Sequence, residues 1–273
     1  MSYGYGPQPT NPQNPNAVLR SSEFGPAVLN AVRDARLRGY LVGKSVPWDA
    51  VDLPLVTSLP QSPQDRAEVN YLIDEANEVV VRMVYRAATA NWVQIGAIPV
   101  VTSLPAVTTE GFQIVYDTGT AGVRWHLVYD TTDGTTYPWL YIGGPALYAE
   151  VTTSAGRTNT AYGDLSSGDA GPAVTLPLVG DYDVTIGCTC WNNTTGQGFY
   201  MSYDIGATGA VDADGMFSQE GSGGNTNPTA ISRKRRKTGL TAVALTAKYK
   251  AAGGSTATFQ DRWITATPVR VGT

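Results

Sequence analysis

Part of this chain is written twice, and that constrains its fold more than any other feature. Leu55–Pro60 reads LVTSLP, and Val100–Pro105 reads VVTSLP, 45 residues later. Val81–Tyr85 (VRMVY) is echoed by Trp125–Tyr129 (WHLVY), and Asn91–Gly96 (NWVQIG) by Pro138–Gly143 (PWLYIG). Each copy reads as a proline-bounded segment followed by strand, strand, turn and strand, the signature of a repeated supersecondary unit. In the second copy Trp125, Leu127 and Tyr129 alternate with Arg124, His126 and Val128, the period of a half-buried strand. Residues 51–97 and 98–146 are therefore expected to form two small β-meanders. A meander of that size exposes one apolar face, so the faces must bury against each other or against other chains.

From Leu147 onward the pattern changes to short extended stretches separated by turn clusters: SSGDAG, VGD, NNTTGQG, GSGGNTNP and AAGGS. The expected strands include Tyr148–Thr153, Ala173–Leu178, Tyr182–Trp191, Phe199–Ile205, Thr229–Lys237, Leu240–Lys250 and Thr256–Val271, the last read as one strand or two. Some eight short strands over residues 147–273 predict a β-sandwich of jelly-roll type. The 30 Gly, 17 Pro and 15 Tyr agree with strands joined by tight turns, so the fold class is mainly β. Residues 1–50 read differently. The first 19, rich in Pro, Asn, Gln and Gly, cannot bury a core. Pro26 then opens a short helix with Val28, Leu29 and Val32 at helical spacing, Arg33 and Arg36 on its other positions, and Gly39 as its stop. A lone helix this short is marginal, which makes it a candidate anchor on a partner.

The sequence offers little for catalysis. His126 is the only histidine, and Asp130 or Asp133 are the carboxylates that could orient it. Its counterpart in the first copy is Arg82, which suits an exposed strand face better than a general base. Asp212–Gly215 (DADG) opens like a calcium loop but lacks the remaining ligand spacing, so a plain turn is expected. Asp181 and Asp183 flank Tyr182 at a strand start, where they serve a turn more readily than a glycosidase pair. Cys188 and Cys190, two apart on a strand, sit at or beyond disulfide reach and read as small core residues. Five tryptophans, Trp92, Trp125, Trp139, Trp191 and Trp263, fall in expected strands and most are expected inside. No catalytic, cofactor-binding or metal site is expected, and no cofactor.

Charge is strongly uneven. The net −4 divides into +2 over residues 1–40, −14 over 41–231 and +8 over 232–273. Such a split predicts pairing between segments or between copies of the chain, and the acidic middle argues against a nucleic-acid partner. Its sharpest element is the run Arg233, Lys234, Arg235, Arg236 and Lys237, expected either at an inter-subunit contact or on a binding surface. The opening residues lack the basic and apolar regions of a signal peptide, and no stretch is apolar enough to insert in a membrane.

Four C-terminal segments form an ordered set: VTLPLVGDYDVTIG at Val174–Gly187, FYMSYDIG at Phe199–Gly206, ISRKRRKTGL at Ile231–Leu240 and TATFQDRWITATPVRV at Thr256–Val271. They resemble the terminal domain of minor tail and fibre-like virion proteins of actinobacterial phages and prophages. The repeat ending in VRWHLVYD and PWLYIGG resembles the linker modules that precede that domain. The first copy departs from the pattern, with Arg82–Met83 where the second has His126–Leu127. The resemblance spans residues 53–273 and implies a virion structural subunit made in a host bacterial cytoplasm. It further implies a homotrimer that contacts other virion proteins through its N-terminal arm and helix, and the host cell-surface glycan through its sandwich. A capsid decoration or head-fibre protein is the alternative within that class, and an enzyme acting on cell-wall glycan the alternative outside it.

Overall fold

The computed structural model describes residues 53–75, 79–106, 109–132, 136–165, 168–220 and 228–273. Residues 1–50, with the expected helix of Val28, Leu29, Val32, Arg33 and Arg36, lie outside the described residues, as does Asp133. Among the described residues the chain is built of strands, with no helix. It divides into two compact units: residues up to Val101 with Pro105–Ile114, and Thr102–Leu104 with Val115–Thr273.

The first unit is a single four-stranded sheet. β1 (Leu55–Val56) runs parallel to β2 (Glu68–Asp74), and β2, β3 (Val79–Arg86) and β4 (Asn91–Ile95) form an antiparallel meander. Period-two alternation turns Val81 and Met83 inward on β3, where they join buried Val69 and Trp92, while Val84, also buried, lies on the other face opposite Glu68. The Trp92 indole packs on Tyr85 with ring centroids 5.6 Å apart and donates to the carbonyl of Pro60, 3.2 Å away. On the opposite side of β3, Arg82 pairs with Glu68 at 2.5 Å across the strands. The two-residue β5 (Val100–Val101) follows this sheet in the chain and belongs to the nine-stranded one.

In the second unit, β6 (Gln113–Asp117), β7 (Arg124–Tyr129) and β8 (Trp139–Gly143) join the same sheet as the long C-terminal strand. That strand, β17 (Ala257–Gly272), is flanked on one side by β12 (Val179–Asn192), and β15 (Thr229–Leu240) pairs with β12 to end the sheet. Its other side is filled in turn by β8, β9 (Leu147–Val151) and β10 (Ala155–Arg157). A second sheet runs β11 (Ala173–Thr175), β16 (Ala244–Ala251), β13 (Gly198–Ile205) and β14 (Met216–Gln219). The sheets pack face to face. Tyr182, Val184, Ile186, Cys188 and Cys190 point inward from β12 and meet Phe199, Met201, Tyr203, Leu245, Ala247 and Tyr249, all buried. Tyr249 and Phe259 touch between the layers at 4.8 Å. Trp125 and Leu127 are fully buried, as the alternation in the second copy requires. Cys188 and Cys190 are both free and buried, and a contact with Cys190 together with burial pushes the Cys188 thiol well above its ordinary pKa.

β17 carries two irregularities against β12, at Asp261 and at Val269, and the first sets the polarity of the middle of this sheet. Thr189 opposes Gln260 and Gly187 opposes Trp263, so Cys188 faces two residues, Asp261 and Arg262. Asp261 takes a left-handed φ of 48°, the conformation of a β-bulge residue. Before the bulge, Ala257 and Phe259 point inward; after it, Arg262, Ile264 and Ala266 do. The phase change places the Arg262 guanidinium in the core at 0% exposure. There its Nη2 donates to Asp169 Oδ2 at 2.5 Å and to the Thr153 carbonyl at 3.0 Å, and the cation lies 5.6 Å from the Tyr249 ring centroid. Burial alone would raise the Asp169 carboxyl, but Arg262 and the Gly171 N–H outweigh it and hold it below the ordinary range.

The asymmetry of this pair makes a prediction. Asp169→Ala strands a buried cation and should cost about 3 kcal/mol or more, whereas Arg262→Met replaces the whole buried group with an apolar one and should cost far less. Urea midpoints with unchanged m-values measure both. Equal losses in the two variants would show that Arg262 is not the buried charge holding this corner together.

Candidate interaction surface of the sandwich

The basic run lies on β15, the edge strand of the first sheet, and its alternation sends the charges to two places. Lys234 and Arg236 rise from the outer face and grip one carboxylate on β12. Lys234 Nζ is 2.8 Å from Asp183 Oδ2, and Arg236 donates to Oδ1 at 2.5 Å and to Oδ2 at 3.1 Å. Arg236 and Asp183 are direct cross-strand partners. On the other side of the strand, Lys237 reaches Asp214 Oδ2 at 2.7 Å and Arg233 donates to the Gly215 carbonyl. Arg235 is exposed and has no carboxylate partner among the described residues. Four of the five charges therefore hold the protein's own loops and strands. A row of charged side chains also shields the open backbone of an edge strand from pairing with another sheet.

The other residues singled out from sequence are also in structural use. Asp214 and Gly215 close a turn by hydrogen bonds to Val211 and Asp212, while Asp212 accepts from Tyr162 and Lys250. Among the described residues no group of three His, Cys, Asp or Glu could hold a metal ion. Asp181 accepts from the Gly239 N–H. Asp130, the carboxylate considered for His126, is bound at 2.9 Å by the nearly buried Arg270 and by Thr132. His126 itself is half-buried on β7.

The tryptophans divide. Trp92, Trp125 and Trp139 are buried, but Trp191 and Trp263 are only partly covered. Trp263 faces outward because the Asp261 bulge reverses the phase of β17, a reversal that simple alternation from Phe259 does not foresee. On the outer face the strands align their side chains in rows. Glu150, Trp263, Gly187 and Ser232 form one row, and Tyr148, Thr265, Thr185 and Lys234 form the next. Gly187 lets the indole lie flat on the sheet, since a Cβ there would stand 2.4 Å from the six-membered ring of Trp263. Tyr148, 57% exposed, hydrogen-bonds Glu150, which together with burial raises its phenol pKa. These groups and Asp261 line a shallow hollow of about 430 Å3, floored by Trp263 and bounded by Ala230, Ile231 and Ser232 of β15. An aromatic plate edged by carboxylates and hydroxyls recognises cations through the ring face and the acids, and polar ligands through the hydroxyls.

No protein-family model matches the chain, and no curated protein matches it. Among solved structures it is similar to Eiger TNF from S. frugiperda, with 8% identity and a TM-score of 0.34 over 47% of this chain and 96% of that one. It is similar also to a glycoside hydrolase family 43 arabinoxylan arabinofuranohydrolase from Bacillus subtilis in complex with cellotetraose, at 10% identity and a TM-score of 0.24, covering 74% of this chain and 51% of that one. A structure of infectious bursal disease virus Gx strain is similar at 9% identity and a TM-score of 0.23, over 71% and 68% of the two chains.

Asp183 yields a pH prediction. Hydrogen bonding from Arg236, then from Lys234, outweighs desolvation and holds its carboxyl below the ordinary value. A depressed folded-state pKa contributes stability above the unfolded value of about 4, and the contribution fades as pH falls through the folded pKa. Asp183→Asn should therefore be less stable than the parent at pH 7, and the difference should shrink as pH drops below about 4. Urea midpoints between neutral and acid pH follow the gap, and a gap constant with pH would show that the clamp contributes nothing.

Proposed function

We propose that this chain is a non-enzymatic structural subunit of a bacteriophage virion, tail-associated and of the minor-tail or fibre-like kind. In this reading its N-terminal arm and helix anchor it to the particle, the chain assembles as a homotrimer, and a jelly-roll sandwich faces the host envelope. The observation that carries the proposal is where the resemblance falls. Its four C-terminal segments cover most of β12, β13, β15 and β17, strands drawn from both sheets, so the likeness lies in the scaffold itself. A jelly roll is supported by the way the chain crosses between layers. From β9 and β10 it passes to β11, back to β12, over to β13 and β14, back to β15, over to β16 and home to β17.

A structural role also fits the use made of charge. Asp130, Asp169, Asp183 and Asp214 are each bound by an arginine or lysine of the same chain, the work of carboxylates that hold strands and loops together. Contact with the host through several weak sites would gain strength from copy number, without any deep pocket.

Gold-labelled antibody against the chain, imaged on intact virions by electron microscopy, tests the proposal. Label at the tail or its tip is the expected result. Label spread over the head would replace it with the capsid-decoration reading, and virions free of label would overturn both.

A further inference from the structure

We infer that the hollow floored by Trp263 is one half of a self-association surface, and that it receives the basic strand β15 of a second copy of this chain. The inference rests on the proposed homo-oligomer and names the surface that forms it. Three observations on the outer face of the first sheet point to this occupant.

The first is the chemistry of the hollow. Its floor is the flat face of an indole, Tyr148 stands at its rim, and Glu150 and Asp261 are its acids. Neither acid forms an ion pair with an arginine or lysine among the described residues, unlike Asp183 and Asp214 on the same sandwich. A ring face flanked by carboxylates favours an ammonium or guanidinium group.

The second is that the same face carries the complementary feature at its opposite edge. From β9 across β17 and β12 to β15 is three strand spacings, roughly 14 Å. On β15, Lys234 and Arg236 rise from this face and are 62% and 54% exposed beyond the carboxylate they share. An acidic, aromatic edge and a basic edge on one flat face make the face complementary to another copy of itself. In a closed ring each copy gives its basic strand to one neighbour and takes the other neighbour's in its hollow, so every site is filled.

The third is extent and relief. Four strands about 4.8 Å apart and about ten residues long cover on the order of 600 Å2, close to the roughly 800 Å2 that each partner contributes to a standard interface. Gly187 and the threonines Thr185, Thr189, Thr265 and Thr267 keep this face low, so a second sheet edge can approach it.

The test is sedimentation of the purified full-length chain over a range of concentrations and salt. The parent should form a closed oligomer that weakens as salt rises. Glu150→Lys and Lys234→Glu should each weaken association about tenfold or more, and Trp263→Ala should do likewise. The double variant Glu150→Lys/Lys234→Glu should restore association to within about threefold of the parent, since the charges are exchanged rather than lost. Circular dichroism of each variant separates lost assembly from lost folding, and the rescue itself excludes a folding defect. A parent that stays monomeric at every concentration would overturn the inference, as would an oligomer that neither single charge reversal weakens. So would an unchanged oligomer in which Trp263→Ala abolishes binding to a host-envelope oligosaccharide, because the hollow would then be a glycan subsite. A monomer found on virions sinks this inference alone, whereas charge-dependent assembly of a chain absent from virions sinks the virion reading alone.

Discussion

One extra residue in β17, the left-handed Asp261 opposite Cys188, decides which way the side chains from Arg262 to Pro268 point, up to a second bulge at Val269. Without it the alternation that buries Phe259 would carry Trp263 into the core and leave Arg262 on the surface. With it, the sheet takes in an arginine and presents a tryptophan. Both consequences are costly alone: a guanidinium in an apolar interior demands a partner, and an indole on a flat sheet demands a neighbour without a side chain. The structure meets the first with Asp169 and the Thr153 carbonyl, reached from loops on the far side of β9 and β10, and the second with Gly187. The bulge thus ties the loop at Asp169 to the middle of the sheet and defines its outer surface in the same turn of the backbone.

Much of the architecture is legible in the sequence because alternation and turn chemistry are local. The strands at Tyr182–Trp191, Phe199–Ile205 and Thr256–Val271 stand where the pattern puts them, and Trp125 and Leu127 are buried as their spacing requires. The matched segments of the two copies also become matched strands, with β1 and β5, β2 and β6, and β3 and β7 each beginning 45 residues apart. What the repeat does not reveal is that its copies have different surroundings. β8 pairs with β17 at Leu140–Arg270 and Trp139–Val271, so the second copy is hydrogen-bonded into the large sheet, whereas β1 to β4 form a sheet of their own. Pairing between strands more than a hundred residues apart leaves no local trace.

The basic run shows the same limit at the level of a site. Five cations in a row read as one feature, but a strand has two faces and the register decides what each meets. Arg233 and Lys237 secure the loop at Asp214 and Gly215, Lys234 and Arg236 clamp Asp183, and Arg235 stays exposed. The hollow at Trp263 was invisible for the opposite reason. Its members Tyr148, Glu150, Asp261 and Trp263 are scattered in sequence and meet only through the pairing of β9 with β17. Its one local trace is the polar break QDR in an otherwise alternating strand. A break of that kind, before an aromatic residue, is where a bulge reverses inside and outside.

The most direct test of this account is an experimental density map of the full chain, at side-chain resolution, centred on Asp261. The map should show a two-residue bulge opposite Cys188, the Arg262 guanidinium between the sheets against Asp169, and the Trp263 indole on the outer face over Gly187. An unbulged β17 with Trp263 between the sheets and Arg262 in solvent would contradict the account. The outer surface inferred for assembly would then not exist.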